Sequence, residues 1–107
     1  MKQERIKKLQ EFLQADPNDP FVLYALANEY AEESPEKSLD YYEQLMRDHP
    51  NYVATYYQAA HVLIEVGREE KAEEVFKTGI LVCQQQGEQH TLAELQSAYN
   101  EFLFDDD

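Results

Sequence analysis

Residues 51–67 read NYVATYYQAAHVLIEVG, and the fold turns on which of these side chains face inward. The segment does not alternate with period two, so a strand is disfavoured, whereas its apolar residues recur at helical spacing. At about 100° per residue, Tyr56 and Tyr57 cannot share a helix face. At most one of them is deep core.

The segments on either side are punctuated like short helices. Asp16-Pro17-Asn18-Asp19-Pro20 closes one helical pattern and opens the next, with Asp19 suited to the N-cap and Pro20 to the first helical position. Ser34-Pro35 repeats that arrangement, His49-Pro50-Asn51 makes another break, and Gly67 and Gly87 suit helix C-termini. Thr91-Leu92-Ala93-Glu94 reads as a capping box. The result is six helices, over residues 2–14, 20–33, 35–48, 52–66, 69–86 and 92–103.

Consecutive helices of similar length separated by short breaks call for a search for internal repeats. Leu23-x-x-Leu26-Ala27-x-x-Tyr30 superposes on Tyr56-x-x-Ala59-Ala60-x-x-Leu63, and Ser38-x-x-x-Tyr42 on Ala72-x-x-x-Phe76. The offset is about 33 or 34 residues, the length of a helix-pair repeat. This pattern resembles the tetratricopeptide repeat family, whose unit is two antiparallel helices with large, small and aromatic positions in fixed order, closed by a proline. Repeat 1 spans residues 20–52 and ends in Pro50, with one residue fewer in the turn before Ser38; repeat 2 spans 53–86, where Gln84 stands in place of the proline. Ala27, Ser38, Ala60 and Ala72 are the small residues at which paired helices cross.

The resemblance extends to both ends. Ile6, Leu9, Phe12 and Leu13 look like the second helix of an earlier half-repeat, over residues 2–14, although Arg5 stands where a small residue belongs. Without a preceding helix to approach, that small residue is not needed. Leu92, Leu95, Tyr99 and Phe102 make the apolar stripe of a terminal capping helix over 92–103, followed by an acidic tail, 104–107. The implied fold is all-α: antiparallel helix-turn-helix repeats stacked as a short right-handed superhelix in one domain.

By the same resemblance Tyr56 is interior and Tyr57 faces the concave groove. The groove stripe then carries Phe21, Tyr24, Asn28, Ala31 and Glu32 in the first repeat and Ala54, Tyr57, Gln58, His61, Ile64 and Glu65 in the second. Aromatic, amide and carboxylate groups together supply contact area and orienting hydrogen bonds. Family members that clamp a partner's C-terminal carboxylates use lysines, an arginine and asparagines over three units. Asn28 matches one of those asparagines, but Tyr24 and Gln58 replace a Lys and an Asn, and no third basic unit exists. The expected ligand has the opposite sign: a Lys or Arg of a bound peptide between Glu32 and Glu65, against the rings of Tyr24 and Tyr57. The implied function is a protein-interaction module that binds a neutral or basic peptide segment. The alternative is a self-associating scaffold that docks through a terminal helix and leaves the groove idle.

Nine basic against 22 acidic residues leave a net charge of −13, which disfavours nucleic acid and anionic membranes. One cysteine, Cys83, excludes an internal disulfide and is read as a small buried hydrophobe. His61 with Glu65 or Glu32 is too sparse for a metal site or an acid–base pair. No catalytic residue, metal or cofactor is therefore expected. Neither a signal peptide nor an apolar span is visible, and the reading is a soluble cytoplasmic protein. Like charges spread over 107 residues repel in the compact state, and salt screens them over about 8 Å at 0.15 M. A saline habitat would explain why the excess is tolerated. The melting temperature should rise between low and molar sodium chloride; a flat or falling curve by thermal denaturation would contradict net repulsion.

Overall fold

A computed structural model describes residues 2–105 of the chain. These residues form six helices: α1 (Lys2–Ala15), α2 (Pro20–Tyr30), α3 (Pro35–Asp48), α4 (Ala54–Glu65), α5 (Glu69–Gln86) and α6 (Gln89–Phe104). They make an all-α repeat fold without strands among the described residues. Two compact units divide the chain, Met1–Tyr52 with α1 to α3 and Val53–Asp107 with α4 to α6.

Local chemistry explains most of the boundaries. At the start of α2 the Asp19 carboxylate accepts the amide N–H of Phe21 at 3.0 Å, and Pro20 occupies the first turn, where its missing N–H costs nothing. The C-terminus of α4 closes with Arg68 N–H donating to the Leu63 carbonyl at 2.8 Å. In α5 the Glu88 N–H donates to the Cys83 carbonyl at 2.9 Å. Both closures wrap around a glycine in the left-handed region, Gly67 at φ 82° and Gly87 at φ 71°.

Two expected boundaries move by three residues, and the start of α4 moves by two, from 52 to 54. The second helix stops at Tyr30, and residues 31–33 form a turn in which Ala31 N–H reaches the Asn28 carbonyl at 3.3 Å and Ser34 N–H the Tyr30 carbonyl at 2.8 Å. Pro35 disfavours helical geometry at Ser34, so the helix tightens and ends early. The last helix begins at Gln89, before the Thr91 box, with Glu88 as N-cap and no side-chain cap. Thr91 therefore lies within the first turn, where the Leu92 N–H already donates to the Glu88 carbonyl at 2.9 Å. Ser34 likewise starts α3 without a side-chain cap.

In the first unit α2 packs between α1 and α3. Leu23, Leu26, Ala27, Leu39, Tyr42 and Leu45 make the core. The Ser38 hydroxyl, buried at the crossing, donates to the Ala27 carbonyl at 2.7 Å. A hydroxyl therefore does in this unit what a methyl does at Ala72, because it finds an acceptor on the facing backbone. Helix α1 buries no residue completely, and Phe12 of its expected apolar stripe is 56% exposed. Polar contacts supplement it: Arg5 pairs with Glu29 at 2.8 Å and Gln10 donates to the Tyr30 hydroxyl at 2.8 Å.

In the second unit α4, α5 and α6 all pack on one another. Tyr56, Ala59, Ala60, Ala72, Phe76 and Leu95 are fully or almost fully buried. A close approach occurs at Gly79, which lies outside the repeat's small-residue positions. A Cβ added there would lie 2.5 Å from Tyr56 Cβ, 2.7 Å from its Cγ and 3.0 Å from Leu95 Cδ1. Gly79→Ala must therefore push apart backbone-proximal atoms of α4, and a loss of about 1–3 kcal/mol is expected. Ala60→Leu and Ala72→Leu should cost a similar amount. Gly67→Ala meets open space, and only its φ of 82° opposes the change, which should cost about 1 kcal/mol. Denaturant midpoints will report these differences; unchanged midpoints in the three crossing variants would disprove the packing register.

Candidate functional site

Each unit has its own candidate surface, the face of α2 in the first and that of α4 in the second, turned away from the core of that unit. In α2, Phe21 is 68% exposed, Tyr24 is half-buried, and Asn28 is exposed. Tyr24 leans on Tyr42 and Tyr52 with ring centroids 6.4 and 5.5 Å apart, both tilted. These contacts hold the ring in one orientation. The Tyr42 hydroxyl donates to Asn28 Oδ1. This contact occupies the amide oxygen and leaves the NH2 group, with two donors, without a side-chain partner among the described residues. Glu32 is exposed but lies in the turn after α2, so it does not continue the helical stripe as Glu65 does at the end of α4.

In α4 the two neighbouring tyrosines part company as helical geometry requires: Tyr56 is 1% exposed and Tyr57 39%. Tyr57, His61 and Ile64, at spacings of four and three, form one wall of a hollow of about 340 Å³. The opposite wall comes from α6 through Ala98, Glu101, Phe102 and the adjoining Asp105, which recur at i, i+3, i+4 and i+7. Glu69 and Phe76 complete it from α5. Phe76 is buried and Ile64, Ala98 and Phe102 are half-buried, whereas Glu69, Glu101 and Asp105 are exposed. An apolar floor is thus ringed by carboxylates. His61 Nε2 stands 3.4 Å from Glu65 Oε2, one helical turn on. Gln58 is half-buried and, like Glu65, does not line the hollow.

A second hollow of about 380 Å³ adjoins the first along α6, lined by His90, Ala93, Glu94 and Ser97. The two share Tyr57, Ala98 and Glu101. The expected groove omits Glu101, Phe102 and Asp105, because periodicity marks α6 only by its buried stripe, and it omits Glu69, which opens α5 outside the first-helix stripe. The polar flank of that stripe, Glu94, Glu101 and Asp105, carried the missing signal.

Other polar groups have local roles. His49, in the break before α4, has Nε2 2.8 Å from the Asn18 carbonyl. A carbonyl only accepts, so Nε2 carries the hydrogen. Gln44 Nε2 donates to Asn18 Oδ1 at 3.0 Å, and the two contacts tie α3 to the α1–α2 connection. Cys83 is buried, as the apolar run around it implied. Among the described residues no group of three or more His, Cys, Asp or Glu could hold a metal ion. No helix among them is long and apolar enough to cross a membrane. Of the acidic tail, Phe104 closes α6 and Asp105 joins the hollow; Asp106 and Asp107 lie outside the described residues.

Paired helices with small residues at their crossings and open first-helix faces define a helical-repeat protein. The model of the tetratricopeptide repeat matches residues 29–95, and the chain belongs to that family. Its fold is similar to a crystal structure of a tetratricopeptide repeat domain protein from Salinibacter ruber. The two are 32% identical with a TM-score of 0.77 over 82% of this chain and 99% of that one. A solution NMR structure of a tetratricopeptide repeat domain protein from the same organism is 35% identical, with a TM-score of 0.76, covering 81% of this chain and 89% of that one. No curated protein matches the chain. Repeats of this family are in general protein-interaction modules.

The packing that shapes these faces also perturbs its phenols. Burial raises the Tyr42 pKa well above its ordinary value of 10.0, with the Tyr24 phenol adding to the effect. Burial also raises Tyr41, Tyr52 and Tyr56. Tyr99 is raised first by its hydrogen bond to Glu73, whose Oε2 lies 2.9 Å away. A folded-state pKa above the unfolded value means that the native state holds its protons longer. That stability is fully present below about pH 10 and is lost as pH rises through the folded values. Denaturant midpoints should therefore fall above about pH 10. Tyr42→Phe should lessen the alkaline fall while costing about 1 kcal/mol at neutral pH through the lost bond to Asn28. An alkaline limb unchanged in Tyr42→Phe would contradict this assignment.

Proposed function

We propose that this protein is a peptide-binding interaction module without catalytic activity, and that the first-helix face of each repeat, taken by itself, can receive a segment of a partner protein. Phe21, Tyr24 and Asn28 serve this purpose in the first unit, with Glu32 at its edge. Tyr57, His61 and Glu65 serve it in the second, with Gln58 beside them. The observation that carries the reading is the hollow between α4 and α6, where Tyr57 and His61 stand exposed over an apolar floor in a helix whose other face is fully buried. Placing such groups in water without a ligand gains nothing for the fold. The partner is neutral or basic, since nucleic acid and anionic lipid would be repelled by the net charge of −13. The setting is the cytoplasm.

One observation favours a second reading, self-association through the terminal helix. Leu103 is 46% exposed and Phe104 81% at the end of α6. Tyr99 is unsuitable as a probe of docking, because it packs on Phe76 and Phe102 at 5.4 and 6.3 Å and bonds Glu73. Phe104→Ser changes the exposed end alone.

Panning a random decapeptide display library on the immobilised protein tests the first reading. Retained peptides should lose affinity about 5-fold or more on Tyr57→Ala and be indifferent to Phe104→Ser. Light scattering at micromolar concentration tests the second. A dimer that Phe104→Ser dissociates, with no peptide retained, would replace the groove reading by docking.

A further inference from the structure

Resting on that reading, we propose that the lane along α6 is a subsite for a lysine or arginine side chain of the partner segment, seated beside Tyr57 and Phe102 and ringed by Glu69, Glu101 and Asp105. Four observations converge on this ligand chemistry.

The first is size. A hollow of about 340 Å³ stands near the lower end of small-molecule sites, which run from about 300 to 1,000 Å³. It suits one long side chain and its flanking backbone. The second is the lining. Its floor is aromatic and aliphatic, from Phe76, Ile64, Ala98 and Phe102, and so accommodates a methylene stem, while the carboxylates at the rim meet a cationic head. The exposed Tyr57 offers a ring face within cation–π reach.

The third is charge. No lysine or arginine lines either hollow, and residues 53–107 carry only Arg68, Lys71 and Lys77 against eleven Asp and Glu. Lys71 and Lys77 face Glu74 and Glu73 at 3.9 and 3.8 Å along α5. The carboxylates of Glu69, Glu101 and Asp105 make no ion pair or side-chain hydrogen bond among the described residues. Three carboxylates around one apolar floor repel one another, and an incoming cation relieves that repulsion. An acidic or neutral segment gains nothing from it.

The fourth is continuity. From His90 to Asp105 the face of α6 runs about 22 Å at 1.5 Å per residue, room for about six or seven extended residues. Because Tyr57, Ala98 and Glu101 belong to both hollows, one extended strand can place side chains in each. The cation sits toward the C-terminal end of α6, where unpaired backbone carbonyls add negative potential.

The test uses the full chain and two capped heptapeptides, acetyl-Ala-Ala-Gly-Arg-Gly-Ala-Ala-amide and the same peptide with citrulline, the neutral isostere, in place of arginine. Binding is followed by amide and methyl NMR shifts. The arginine peptide should bind at least about 5-fold tighter than the citrulline peptide, with shifts centred on Ala98 and Phe102. Its advantage should shrink as salt rises. Glu101→Gln preserves shape and should abolish most of the advantage; Tyr57→Leu should weaken both peptides. Since Glu101 and Tyr57 are exposed, both variants should fold, which their denaturant midpoints verify. Equal binding of the two peptides at the lane would overturn the cationic subsite while leaving peptide recognition standing. Arginine selectivity that survives Glu101→Gln, or shifts confined to other surfaces, would also overturn it. A display library that retains nothing would instead remove the peptide-binding reading itself.

Discussion

At Gly79 the backbone of α5 comes so close to α4 that even a methyl group would sit 2.5 Å from Tyr56 Cβ, and the Leu95 methyl of α6 closes on the same point. Three helices thus converge on one missing side chain. The contact buries Tyr56, and the helical rotation of about 100° then turns Tyr57 outward. It also seats α6 through Leu95, which places Ala98, Glu101 and Phe102 opposite Tyr57 and His61. The hollow is therefore a consequence of the crossing: loosening α5 against α4 would move both of its walls. Protein interiors transmit such displacements because they are packed as densely as organic crystals.

The first unit reaches a similar geometry by different chemistry. At its crossing the Ser38 hydroxyl contacts the Ala27 carbonyl directly, and the residue after Ala27, Asn28, is fixed by the Tyr42 hydroxyl. Tyr42 thus connects the core to the face: its ring is buried against Tyr24 and its hydroxyl orients a surface amide. The second unit has Phe76 at the matching place, buried under the hollow with the rings of Tyr99 and Phe102 tilted against it. One repeat pattern accommodates both a polar link and a purely aromatic one, because the repeat specifies size more strictly than polarity.

Electrostatics ties stability to recognition. The carboxylates that surround the hollow add to the repulsion within the domain, and they are the groups a cationic segment would neutralise. Ion pairs on the surface do little to offset this: Lys71 with Glu74 and Lys77 with Glu73 lie along a single helix, and such pairs contribute a few tenths of a kcal/mol, about 0.3–0.5. Stability must come from the two apolar cores, while the surface charge remains available for a partner.

The sequence alone determined the helices, their pairing and the inward set. Periodicity distinguishes Tyr56 from Tyr57, capping residues mark the ends, and small residues mark the crossings, all through interactions between neighbours within a few turns. It misjudged places where competing local signals meet. Pro35 cut α2 short and carried Glu32 off the helical face, and the Thr91 box lost to a helix start three residues upstream of 92. What only the tertiary structure decided is which surfaces come together. Gly79 reads as a weak point in a helix until the facing Tyr56 is placed. Glu101 and Asp105 read as solvent-facing until α6 lies beside α4. Both depend on contacts between residues far apart in the chain, whose side-chain directions are set by helix crossings that local periodicity does not encode.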